Sequence, residues 1–276
     1  MKAIAIDPRQ IGIVAAKEFR DRIRNRWVLA VTLVFTAFAL VIAYFGAAQQ
    51  GAVGFRSIEV TIASLASLVI YLVPLIALIL GFDAIVGERE RGSLDLLLSM
   101  PLTRFELLMG KFLGLSAALA CSTVVGFGVV GVLLGLRLSP QAWFHYAGFI
   151  FSSVLLGMAF LSLAVTLSVF ATDRARASGG AIALWFFFVL VYDLLLLGAL
   201  VASGGAIGAD AFPYLLLLNP ADVFRILNIF GLDDVRTLYG LTTVFPERLA
   251  NPGVLGAAMV AWIALPLAIA NWRFRR

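Results

Sequence analysis

Residues 60–82 read VTIASLASLVIYLVPLIALILGF, 23 consecutive positions without an Asp, Glu, Lys or Arg. An apolar run of about 20 residues crosses the hydrocarbon of a bilayer as a helix, and a helix satisfies all its backbone N–H and C=O groups internally there. Working outward in both directions, five further stretches of the same kind appear. Trimmed at Gly, Pro, Gln and polar clusters, the six predict helices at about 27–48, 58–86, 105–135, 141–170, 178–202 and 253–272. The whole chain agrees with its parts: 62% of its 276 residues are hydrophobic and only 13% are charged, with a mean hydropathy of +1.02. So few charges cannot clothe a water-soluble domain of this size, which excludes a soluble enzyme. The fold class expected is an all-α integral membrane protein.

An even number of spans puts both termini on one side. Sixteen of the 21 Lys and Arg fall at the termini and in alternate connections on that side, against five on the other. By the positive-inside rule both termini are cytoplasmic, in a bacterial inner membrane. The net charge of +5 is thereby explained by topology, and nucleic acid loses its support as a partner. The first apolar run is too long for a signal peptide, and its charged leader covers 26 residues, so Gly46-Ala47-Ala48 is expected to end a retained helix. Residues 1–26 are read as an interfacial amphipathic helix and 27–276 as one six-span domain. In the leader, Ile11, Val14, Ala15, Phe19 and Ile23 share one side, with Lys17, Arg20, Arg22, Arg24 and Arg26 around the rest.

Helix starts are marked independently of hydropathy. Asp7-Pro8, Ser139-Pro140, Asn219-Pro220 and Asn251-Pro252 each pair an N-cap acceptor with a residue whose φ suits the first helical position.

The link 87–104 between the second and third spans is strongly charged at its start. Glu88-Arg89-Glu90-Arg91-Gly92 leads into Ser93-Leu94-Asp95-Leu96-Leu97-Leu98-Ser99-Met100-Pro101. The second part predicts a short apolar helix capped by Ser93 and ended by Pro101; Thr103 and Glu106 then form a capping box that opens the third span. Five large apolar side chains on so short a connector need cover, either from the protein's own helix ends or from a groove on a second protein.

This Glu-rich turn, Gly-Ser-Leu, the Leu triplet, Pro101, Arg104 and Gly110-Lys111 resemble the signature of ABC-2 type permeases, and the six-span order and the long connection 203–252 fit the same family. Lys17-Glu18-Phe19-Arg20-Asp21 and Asn219-Pro220-Ala221-Asp222-Val223-Phe224-Arg225 resemble the subgroup that serves nitrous oxide reductase maturation. The resemblance implies a homodimer bound by two copies of a cytoplasmic ABC ATPase. It implies that Leu94 to Met100 form the buried part of the coupling contact and that Glu88, Arg89, Glu90 and Arg91 flank it. It also implies a periplasmic β-helical partner and a role in building the copper–sulfur centre of the reductase. The chain contains no G-x-x-x-x-G-K-[ST] sequence, so ATP and Mg are expected on the partner ATPase and no cofactor on the chain itself.

Inside the membrane, Asp193 interrupts Phe186 to Leu197 and needs a partner, a proton or water. It reads either as a gate or substrate contact, or as a carboxyl bonded to a neighbouring helix or a dimer mate. Asp83 and Glu59 are expected at the ends of the second span. Gly110 with Gly114, and Gly131 with Gly135, allow close helix approach. A copper conduit would need stacked soft ligands, whereas Cys121, Met158 and Met259 are scattered. A small sulfur species, or mechanical relay without cargo, fits this lining better; another ABC-2 export substrate (drug, lipid or polysaccharide) and an ATPase-free secondary transporter are the alternatives. One His, His145, leaves no catalytic or metal constellation. In the connection 203–252, short helices are expected to dip into the outer leaflet, with Asp222, Arg225, Asp233, Asp234 and Arg236 on a rim that meets the periplasmic partner.

Overall fold

The computed structural model describes residues 6–45, 58–135, 140–204, 212–229 and 251–275. Every described element is a helix. In chain order they are α1 (Pro8–Arg24), α2 (Trp27–Phe45), α3 (Ile58–Gly81), α4 (Val86–Glu90), α5 (Ser93–Ser99), α6 (Arg104–Gly135), α7 (Pro140–Phe170), α8 (Arg174–Phe186), a π-helical stretch (Phe187–Val191), α9 (Tyr192–Ala202), α10 (Phe212–Leu216), α11 (Pro220–Ile229) and α12 (Pro252–Arg275). Six helical runs are long and apolar enough to cross a membrane: α2, α3 continuing to α4, α6, α7, α8 continuing through the π stretch to α9, and α12.

The four Asx/Ser–Pro pairs all precede helices, at Pro8, Pro140, Pro220 and Pro252. In three of them the cap is visible: Asp7, Asn219 and Asn251 each accept a hydrogen bond from the backbone N–H two residues on, at 2.9, 3.0 and 2.8 Å. Ser139 lies outside the described residues. The Thr103–Glu106 box forms in both directions, with Thr103 N donating to the Glu106 carboxylate at 2.7 Å and Glu106 N donating to Thr103 Oγ1 at 3.2 Å.

The core gathers where α3, α6 and α7 pack together, with Phe127, Tyr146, Phe149 and Phe160 fully buried. Lipid offers helices no hydrophobic drive to associate, so contact depends on close approach and internal hydrogen bonds. A Cβ on Gly110 would come within 2.5 Å of Val14, and one on Gly114 within 2.5 Å of the Ala15 carbonyl, so these two glycines seat α1 against α6. Gly131 makes room instead for the Tyr146 ring. On α12, Pro266 has no N–H for the Trp262 carbonyl one turn earlier; Ser162 Oγ of α7 donates to that carbonyl at 2.9 Å.

Candidate functional site

Two charged clusters interrupt the apolar bundle, one at the α4–α5 end and one deep within it. The first begins where α3 stops. Ile85 and Val86 turn the chain, and both their N–H groups donate to Ser168 Oγ of α7 at 2.9 and 3.0 Å. Glu88 of α4 then points inward. Its carboxylate accepts from Lys111 Nζ of α6 at 2.9 Å and from the Ser93 hydroxyl. Lys111 donates at the same time to Glu18 of α1 at 2.8 Å. The three side chains are only 4%, 9% and 13% exposed for Lys111, Glu18 and Glu88, so one buried ammonium ties α1, α4 and α6 together. Lys17 and Arg91 approach the two carboxylates from outside, at 3.6 and 3.7 Å. These charges border a cavity of about 340 Å³ that also reaches Asp21, Arg22 and Asp83.

The neighbouring link residues are engaged within the chain as well. Arg89 donates to the Ala171 and Val169 carbonyls at 2.8 and 3.4 Å, satisfying acceptors left open at the end of α7. Glu90 accepts from the Arg174 N–H at 2.7 Å, in the first turn of α8, and the Arg174 guanidinium pairs with Asp83. Asp173 caps α8, accepting from Arg176 N at 2.8 Å.

Ser93 was expected to cap α5. Instead Gly92 holds the cap position at φ +70°, a left-handed conformation open to Gly at no steric cost. Ser93 lies inside the first turn, and its hydroxyl points back to Glu88. Along α5 the apolar side chains divide by face: Leu94 is buried, Leu97 and Leu98 lean on the core, and Leu96 is 70% exposed. Asp95 is exposed, as are Met100 and Pro101 beyond the helix. Arg104 donates to the Phe274 carbonyl of α12 at 2.6 Å, and its guanidinium lies over the Phe274 ring.

The second cluster surrounds Asp193. Its carboxylate accepts from Arg225 Nη2 of α11 at 3.1 Å, and Arg225 Nη1 donates to Asp222 at 2.6 Å. Asn219 donates to Asp222 at 2.9 Å and to the Phe188 carbonyl at 2.8 Å, within the π stretch. Such stretches leave backbone groups without an α-helical partner, and here a side chain takes one up. Asp222, expected on a solvent rim, is buried with its side chain 1% exposed, because it completes the Arg225 pair. Arg225 and Asp193 are partly exposed, at 36% and 38%. Asp233, Asp234 and Arg236 lie outside the described residues.

The α10–α11 turn reaches far in. Trp262 Nε1 donates to the Leu217 carbonyl at 3.0 Å, and Tyr192 OH to the Leu215 carbonyl at 2.6 Å. Trp262 is ten residues along α12, so the turn lies ~15 Å from that helix's start. The short helices therefore reach well along the length of α12, where Asn219, Asp222 and Arg225 find partners.

Sequence reasoning did not foresee the bridging role of Lys111 or that of Glu18. The signal was present: a Lys seven residues into an apolar span needs a carboxylate.

Comparison with known proteins completes the picture. The profile described as "ABC-2 family transporter protein" matches residues 13–276. The "Probable ABC transporter permease protein NosY" of Stutzerimonas stutzeri is 43% identical over 272 residues, covering 97% of this chain and 98% of the relative. A protein of the same description from Pseudomonas aeruginosa is 45% identical over 271 residues, covering 96% and 98%. With matches that run nearly end to end over a six-span helical bundle, this multi-pass membrane chain belongs to the ABC-2 family of transporter permeases.

Proposed function

We propose that the chain is the permease of an ABC transporter in which a separate cytoplasmic ATPase seats on α5, two permeases and two ATPases making the working unit. The observation that carries this reading is Leu96. A Leu 70% exposed on a helix whose neighbours Leu94, Leu97 and Leu98 pack inward is shaped to enter a groove. Burying it there contributes about 2 kcal/mol. Arg91 and Asp95, both exposed, flank it and supply orienting charges. Glu88, Arg89 and Glu90 act from behind by fixing the base of the link. ATP and Mg belong to the partner. A displacement of α5 on hydrolysis is passed on through Glu88 and Lys111 to α6 and α1, which move with it as one body.

On the opposite side of the membrane, α10 and α11 respond through their bonds to the α8–α9 span and to α12. We infer export of a small sulfur species, or a mechanical signal to a periplasmic β-helical protein, in support of copper–sulfur centre assembly in nitrous oxide reductase. Two things support this branch: the similarity to relatives described as NosY permeases, and the scattered positions of Cys121, Met158 and Met259, which offer copper no ladder of soft ligands.

The test is co-purification from cells that express the permease together with the ATPase subunit of its own transporter. Leu96→Asp should reduce the bound ATPase by tenfold or more while the permease keeps its elution profile, and Leu96→Met should retain it. An Asp variant that holds stoichiometric ATPase and full permease-dependent turnover would place docking elsewhere. Uptake of sulfur-35 into inverted vesicles then separates export from signalling.

A further inference from the structure

We propose that the cleft between α5, the end of α7 and the last turn of α12 is a binding site for the phosphate of an anionic phospholipid headgroup. The cleft holds about 270 Å³ and is lined by Arg89, Arg104 and Arg273 against one carboxylate, Asp95. None of the three guanidinium groups is in an ion pair with a carboxylate among the described residues. Arg89 uses two N–H groups on carbonyls and Arg104 one, so most of the five donors on each meet no protein acceptor among the described residues. Arg273 has its guanidinium 5.9 Å from the Phe170 ring centroid, which orients its planar fork beside the cleft. A surplus of two positive charges with forked donors matches a phosphate monoanion, which Arg binds in bidentate fashion.

Position selects the source. The cleft lies at the ends of two spans, where α7 stops at Phe170 and α12 approaches Arg275. Phe170 and Trp272 there are 47% and 53% exposed, as aromatic side chains are at the headgroup level. Basic pockets between span ends are a known form of headgroup site. The exposed Leu96 does not line the cleft, so the lipid phosphate does not occupy the apolar surface offered to the ATPase groove, although Asp95 borders both. The assignment therefore stands whether or not α5 docks an ATPase.

The experiment uses the full chain purified in a neutral detergent, titrated with phosphatidylglycerol, with phosphatidylcholine or with inorganic phosphate, and read by native mass spectrometry and thermal shift. Phosphatidylglycerol should be retained at least tenfold better than phosphatidylcholine and should raise the melting temperature. Arg273→Gln, whose side chain makes no hydrogen bond among the described residues, should remove most of that preference; Arg9→Gln, an equal loss of charge on α1, should keep it. Equal loss in both variants would mean diffuse surface attraction and overturn the site. Equal stabilisation by inorganic phosphate alone would overturn the lipid assignment.

Discussion

Lys111 and Glu18 are 93 positions apart, yet their charged groups meet at 2.8 Å with both side chains more than nine-tenths buried. Glu88 closes the arrangement from the other side, so α1 and the link are fastened to the same atom of α6. Replacing Lys111 by Met strands two buried carboxylates, and removing one partner of a buried pair is strongly destabilising, about 3–5 kcal/mol. The melting temperature of Lys111→Met should drop accordingly. Adding Glu18→Gln and Glu88→Gln should recover a large part of the loss, an outcome that independent sites would not give.

Gly92 tests the entry to α5. Nothing stands within 4 Å of an added Cβ, so Gly92→Ala meets no clash and pays only for its φ of +70°. A cost of about 1 kcal/mol is expected. Gly92→Asn, which tolerates the left-handed region better, should cost less in the same thermal melt.

Pro266 and Ser162 form a compensating pair. Ser162→Ala leaves the Trp262 carbonyl without the donor that Pro266 cannot supply, at about 1 kcal/mol. In the double variant Ser162→Ala, Pro266→Ala the new backbone N–H can donate to that carbonyl. A double-mutant cycle on detergent-solubilised protein should show positive coupling between the two positions.

Arg225 holds two acids, Asp193 and Asp222. Arg225→Met should destabilise the α10–α11 turn, chiefly because the buried Asp222 loses its cation, while the partly exposed Asp193 is screened by solvent and loses less. Limited proteolysis should then cut the chain on either side of α11 faster. Asp193→Asn alone should be mild, since Arg225 keeps Asp222; a severe Asn phenotype in transport with normal stability would identify Asp193 as a gate.

Asp173 predicts a pH response. The Arg176 backbone N–H, then the Thr172 hydroxyl, hold its carboxyl below the ordinary carboxylate value. A depressed folded pKa stabilises fully above the unfolded value and is lost as the pH falls through the folded one. The first turn of α8 should fray under acid, seen as faster amide exchange at Ala175 and Arg176 below about pH 4. Asp173→Asn keeps an N-cap acceptor and should remove that acid sensitivity.

Much of this molecule was legible in its sequence because each feature concerned had a local cause. The spans follow from charge-free runs, and the helix starts at Pro8, Pro140, Pro220 and Pro252 follow from the Asx/Ser–Pro pairs. The restart at Arg104 follows from a capping box closed over three residues. The α4–α5 segment stood out for the same reason, as charges and leucines side by side. Where local pattern pointed two ways, it chose less well. Ser93 is a good N-cap residue, but the turn after α4 requires a left-handed backbone, and Gly92 meets that need more cheaply.

Tertiary structure alone decided which side chains meet. Glu88 could equally have faced a partner protein until Lys111 drew it inward, and Asp222 looked like a surface charge until Arg225 and Asn219 buried it. In each case a charge in low dielectric must find a counter-charge or polar group, and that partner lies at a sequence distance no periodicity encodes. The sequence by itself determined how many times the chain crosses the bilayer, since hydropathy acts residue by residue. Packing determined that Leu96, rather than Leu94, Leu97 or Leu98, projects from α5, since exposure is a property of the neighbours that a side chain finds.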